Sequence, residues 1–277
     1  MRSLDTHPEA ERVQIELLRQ SPPWRKLHMV GQMNQAVLVL ALSGLHHRYP
    51  QATSEDLHRR LVDLWLGAEL AAQVYKLWNE EKEEVILSEP IAVTLLVIDA
   101  LETLGISYLV GGSLASAVHG VLRATLDADL VADVRLEHAE PLALSLGDAF
   151  YANAEAIRNA VHRQSSFNVI HLKTMFKVDI FILKGRPFDK AQFARRIAQM
   201  VATDPERTAY VASAEDTILA KLEWYRLGGE VSERQWGDVL GMLKVQSYHL
   251  NDEYLRYWAS QLNVADLLER AFSETGL

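Results

Sequence analysis

Apolar residues recur at helical spacing through most of the first 80 positions and again after position 213; between these stretches, segments that alternate with period two stand among further helical runs. Glu9 to Gln20 reads as an amphipathic helix closed by Ser21-Pro22-Pro23, and Trp24 to Leu45 repeats the spacing before a turn at Arg48-Tyr49-Pro50. Thr53 and Asp56 form a capping-box pattern ahead of Leu57 to Trp65. Glu69 to Trp78 continues the helical pattern, and residues 79–84 (NEEKEE) are a charge run that predicts a linker or the solvated end of a helix. Ser88-Glu89-Pro90 is an N-cap with proline near the first turn, which predicts a helix through Leu104. A strand over Ser107 to Val110, a Gly-Gly-Ser turn and a short helix to His119 follow. Thr125 to Val134 alternates as a strand, and two helices are expected between 137 and 163. Phe167 to Leu172 and Phe176 to Leu183 read as paired strands around Lys173-Thr174, and Arg196 to Thr203 with Arg207 to Ala212 as a hairpin over Asp204-Pro205. From Ser213 to Glu274 the pattern is helical, with capping boxes at Ser213/Asp216 and Ser232/Gln235.

The pattern predicts an α+β protein: a separate all-α domain over 1–85, a small mixed β-sheet core over 89–212 and a helical bundle over 213–277. The apolar stripes of the first region (Val13, Leu17, Leu18; Leu38, Leu40, Leu42; Leu61, Leu64, Leu66) require mutual burial, and a partner-binding role is expected there.

Composition narrows the function classes. With 49% hydrophobic and 23% charged residues over 277 positions, the chain is globular. It has no cysteine, which excludes disulfide scaffolds and thiolate metal sites and fits a cytoplasmic location. The first residues lack the apolar core of a secretory leader, and the longest apolar run, near Ile91 to Leu96, is too short to span a bilayer, so no membrane partner is expected. A net charge of −9 argues against bulk attraction to nucleic acid, while leaving a local basic site open.

The candidate chemistry lies in the alternating region. In the strand LDADLVADV, Leu126, Ala128, Leu130, Ala132 and Val134 take one face, and Asp127, Asp129, Val131 and Asp133 take the other. Carboxylates two positions apart have Cα atoms about 6–7 Å apart, close enough to share a divalent cation, and hard oxygen ligands select Mg²⁺ or Mn²⁺. Asp179 stands between Lys177 and Phe181 on the polar face of Phe176 to Ile182. A lone D-x-D reads more simply as a turn or solvated edge, but the clean alternation of its flanks favours a strand. Gly111-Gly112-Ser113 follows a strand and opens a helix, a place suited to phosphate, although taken alone it reads more readily as a plain tight turn. The chain lacks G-x-x-x-x-G-K-[ST] and H-E-x-x-H, and His46, His47 and His119 read as packing or surface residues.

Taken together, Gly112-Ser113, Asp127-Ala128-Asp129-Leu130 and Asp179 resemble the signature of the nucleotidyltransferase superfamily, the fold of DNA polymerase beta. GGSLASAVHG with RATLDADL looks like the bacterial branch that includes AbiEii-type toxins of type IV toxin–antitoxin systems. The segment from Ser213 through Lys221 to Arg226, with Arg234 and Asp238, looks like that branch's helical motif, with Gly228-Gly229-Glu230 as an interruption. The likeness spans about residues 90–277.

The resemblance implies metal-dependent transfer of an NMP from an NTP to a hydroxyl of tRNA, protein or a small molecule, with two metal ions about 4 Å apart. By that resemblance Asp127 and Asp129 bridge both metals, and Asp179 binds the one that activates the acceptor. Gly111, Gly112 and Ser113 hold the β and γ phosphates, and Lys221 with Arg226 neutralises the triphosphate. For Lys221 a solvated helix face is an equal alternative; Arg123 and Thr125 either touch substrate or serve local structure. A second class stays open, a module that binds nucleotide or a partner without turnover through its N-terminal helices.

Overall fold

The computed structural model describes residues 7–76 and 90–276. The charge run at 79–84 and the cap at Ser88 lie outside the described residues.

The elements follow the local signals closely. Helices α1 (Pro8–Gln20), α2 (Pro23–Arg48), α3 (Ser54–Leu66) and α4 (Ala68–Tyr75) fill the first region. The capping box is formed: Thr53 Oγ1 accepts from the Asp56 amide while Asp56 accepts from the Thr53 amide, each at 3.1 Å. Next come α5 (Pro90–Thr103), β1 (Tyr108–Val110), α6 (Gly112–Val118) and β2 (Asp127–Ala132). They are followed by α7 (Ala139–Leu146), β3 (Phe150–Tyr151), α8 (Ala154–Arg163), β4 (Ser166–His171) and β5 (Phe176–Ile182). The last elements are α9 (Pro187–Ala194), the hairpin β6 (Ile197–Thr203) and β7 (Glu206–Val211), then α10 (Ala214–Leu227), α11 (Glu233–Gln246), α12 (Asp252–Gln261) and α13 (Ala265–Thr275). Thirteen α-helices and seven strands in mixed parallel and antiparallel pairing give an α+β fold among the described residues. The strand β3 and the helix α9 were not expected. None of the described helices is long and apolar enough to cross a membrane.

The chain folds into two compact units, and both are discontinuous in sequence. One comprises His28–Tyr108 and Arg123–Lys184. Its strands lie in the order β3-β4-β5-β2, with β2 and β5 parallel and the other neighbours antiparallel. Helix α5 packs on β2 and β5. It is apolar around most of its circumference and buries Ile91, Val93, Leu95, Val97, Ile98 and Leu101. Val62, Ala71 and Val74 of α3 and α4 share a core with Ile170 and Met175, so these helices are not a body separate from the sheet.

The other unit comprises Met1–Leu27, Leu109–Leu122 and Gly185–Leu277. There β1 pairs parallel with β7, and β7 antiparallel with β6. Helices α10 to α13 bury Ile218, Leu222, Val239, Leu243, Leu255 and Leu268 in one cluster, each such side chain contributing about 1.5–3 kcal/mol. Arg19 of α1 caps the C-terminal end of α11: Nη2 and Nε donate to the carbonyls of Lys244 (2.6 Å) and Val245 (2.8 Å), which have no partner within the helix ladder. The region expected as one N-terminal domain over 1–85 is thus divided between the units. Its stripes are also only partly buried: Leu38 and Leu61 are in the core, whereas Val13, Leu17, Leu40 and Leu64 are exposed.

A candidate acidic row on adjacent parallel strands

The pairing of β2 with β5 places Asp127 opposite Lys177 and Asp129 opposite Asp179. Paired positions on neighbouring strands present their side chains to the same face. The alternate positions Ala128, Leu130, Val178 and Ile180 are completely buried. The polar face is only half-buried along both strands. On β4, Asn168 stands opposite Asp179 and extends the row to a third strand.

Three carboxylates side by side need a cation, and the chain supplies one. Lys177 Nζ donates to Asp179 Oδ2 at 2.6 Å and lies 3.9 Å from Asp127 Oδ2. Burial raises the Asp179 carboxyl above its ordinary value, and the neighbouring Lys177 offsets only part of that. Burial opposes the Lys177 ammonium, but its hydrogen bond to Asp179 and the charges of Asp179, Asp127 and Asp129 raise it overall. Both partners of one ion pair therefore shift upward. The causes differ: burial leads at Asp179, with a smaller push from Asp127, whereas the surrounding carboxylates raise Lys177.

The row suits a hard divalent cation in its chemistry, with oxygen donors and unneutralised negative charge. Its arrangement is not a finished coordination sphere: among the described residues, no three Asp, Glu, His or Cys side chains are grouped to hold a metal ion. The Lys177 ammonium reaches toward both Asp127 and Asp179. Sequence reasoning treated Lys177 only as a flank of Asp179, because the register that puts it beside Asp127 is a tertiary fact.

Thr125 is buried and supports the row from one end. Its Oγ1 donates to the carbonyl of Asp127 (3.0 Å) and to Asp127 Oδ1 (3.1 Å). Asn34 of α2 holds Thr125 in turn: Nδ2 donates to the Thr125 carbonyl at 2.6 Å, and Oδ1 accepts from its amide at 2.8 Å. A side-chain amide here does the work of a neighbouring strand. Asn34 had no sequence signal, being 91 positions away. Arg123 is half-buried, with Nη1 donating to the Ala124 carbonyl at 3.4 Å.

The remaining expected residues belong to the other unit. Gly112 opens the seven-residue α6 with φ of +52°, a conformation favouring glycine, and Ser113 is buried. Lys221 is neither solvated nor free: it is buried and donates to Asp238 Oδ2 at 2.8 Å. Arg226 is engaged by Asp266 and, at 3.0 Å, by Glu230. A cavity of about 480 Å³ in this unit is lined by His119, Arg195, Gln199, Ser213 and Glu215 among others, and by none of the expected residues.

A scan of protein-family models finds no match, and a search of curated proteins finds none either. Among solved structures, the chain is similar to an antigenic nucleotidyltransferase-like protein from Paracoccidioides brasiliensis. The two share 16% identity at a TM-score of 0.38, over 65% of this chain and 91% of that one. A likeness that slight carries no argument, and what this chain does is read from its own residues.

Proposed function

We propose that the chain is a metal-dependent nucleotidyltransferase that moves an NMP from an NTP to a hydroxyl. One observation carries this reading: Asp129 and Asp179 stand in register on adjacent parallel strands, with Asp127 on the same face. Asp127, Asp129 and Asp179 would hold Mg²⁺ or Mn²⁺, which supplies positive charge to the phosphates when bound. Asp179, its carboxyl raised by burial, takes the proton of the acceptor hydroxyl. That oxygen then bonds to the α-phosphorus of the NTP. The bridging bond to the β-phosphate breaks, and pyrophosphate leaves with the electron pair. Thr125, fixed by Asn34, keeps Asp127 aimed. Lys221 and Arg226 already hold carboxylates, so we assign them to the helical bundle rather than to the triphosphate.

The acceptor class includes RNA ends, proteins and small molecules; a net charge of −9 disfavours a long nucleic-acid footprint but not a single 3′ end. With tRNA as acceptor, the same chemistry is compatible with the role of toxin in a type IV system. The exposed Val37, Val39, Leu40 and Leu64 support partner binding through residues 1–85. A second reading, nucleotide binding without turnover, is favoured by Lys177, whose ammonium already neutralises part of the row.

The test is incubation with each labelled NTP, Mg²⁺ and total cellular RNA, protein or small-molecule extract. Label should enter one fraction with release of pyrophosphate, and Asp129→Asn should slow it by about a hundredfold or more, each tenfold being about 1.4 kcal/mol. Nucleotide binding without pyrophosphate release from any extract would leave the binding module. Neither binding nor release would sink both.

A further inference from the structure

Lys177 is not used by the chemistry just proposed, yet it sits at the centre of the acidic row. Its Nζ is 2.6 Å from Asp179 and 3.9 Å from Asp127. It projects from the strand that carries Asp179, two positions away, and opposite Asp127 in the β2–β5 register. The Lys177 and Asp179 side chains are 26% and 19% exposed, so water and salt screen this pair less than one on the open surface. A tethered ammonium in that position takes up carboxylate oxygens and repels any second cation brought to them.

We propose that Lys177 is a built-in counter-cation that competes with divalent metal for Asp127 and Asp179. The inference rests on the metal-dependent reading above. It has two consequences. Without metal, the lysine offsets the mutual repulsion of the carboxylates and the strands pair undisturbed. With metal, the ion must displace the lysine, whose long flexible stem can swing its head to solvent. Metal alone therefore binds weakly, and the weakness is built in by one side chain.

The experiment is calorimetric titration with Mn²⁺ alone, without nucleotide, of the full chain and of K177M, K177Q and K177R, together with melting in metal-free buffer. K177M should bind Mn²⁺ at least about tenfold more tightly than the wild type, and K177R should bind about as the wild type does. Without metal K177M should melt below the wild type, and saturating Mn²⁺ should raise its melting temperature by the larger amount. A K177M chain that folds only when Mn²⁺ is present meets the same expectation, and K177Q provides an independent reading of affinity. If the wild type binds Mn²⁺, D129N abolishes it, and the uncharged variants bind no more tightly, the competition is overturned while the metal site stands. If no chain binds Mn²⁺, or binding survives when Asp127, Asp129 and Asp179 are all changed to Asn, the metal site itself falls and the competition with it.

Discussion

Lys221 and Asp238 show how a charged side chain changes meaning once its surroundings are known. The pair is buried, with side chains 11% and 4% exposed. Removing one partner strands a charge away from water. Asp238→Ala should cost about 3–5 kcal/mol in denaturant unfolding, whereas replacing both residues by apolar ones of similar volume should cost far less. A phosphate-binding lysine would give a different result, with lost nucleotide affinity and little lost stability on Lys221→Met. His119 gives a pH signature. Its Nε2 faces the Ala212 carbonyl at 2.7 Å, and because that carbonyl can only accept, Nε2 carries the proton. Burial, with the charge of Lys26, holds the ring's pKa below its ordinary 6.5, and burial lowers His171 in the same direction. Below 6.5 the unfolded chain therefore binds more protons than the folded one, so stability is lost as pH falls through that window and regained as it rises. Urea midpoints at pH values from about 7 to about 5.5 should fall in the wild type, and fall less steeply in His119→Gln.

Helix α2 shows how an element outside the sheet governs a residue within it. Asn34→Ala leaves the amide and carbonyl of the buried Thr125 without their partner, at a cost of about 1–3 kcal/mol. Because Thr125 orients Asp127, Mn²⁺ affinity in the same variant should fall several-fold; unchanged affinity at reduced stability would confine Asn34 to a packing role. Much at this scale was legible in the sequence. The capping box at Thr53 is formed, Ser213 and Ser232 each cap the amide three residues on without the return bond of a full box, and the alternation of DADLVA and FKVDIFI became two strands with their aspartates on the polar face. What was not legible depended on partners far along the chain or on weak local signals. Helix α9 begins behind Arg186, whose side chain makes no cap, and β3 is only two residues long. In sequence Lys177 is only a neighbour of Asp179, since nothing local reveals that β5 lies parallel to β2. Helical spacing placed Val13 and Leu40 on buried stripes, but periodicity alone does not say which stripe finds a partner.

For the molecule as a whole, the divided N-terminal region changes what truncation would do. Removing residues 1–85 would strip Val62, Ala71 and Val74 from the core around Ile170 and Met175, together with the bonds that Arg19 and Lys26 make to Lys244, Val245 and Val118. Such a chain should aggregate or bind hydrophobic dyes in size-exclusion and fluorescence assays, and a folded monomer would show that these contacts are dispensable. The Arg19 cap has a further consequence, for synthesis. Its acceptors lie up to 226 positions downstream. At about 5–20 residues per second, α1 leaves the ribosome roughly 10–45 seconds before the end of α11 exists to receive it. Through that interval Ile15 and Leu18, half-buried in the finished fold, wait on a nascent chain without the cover they later gain, a natural place for a chaperone to hold it.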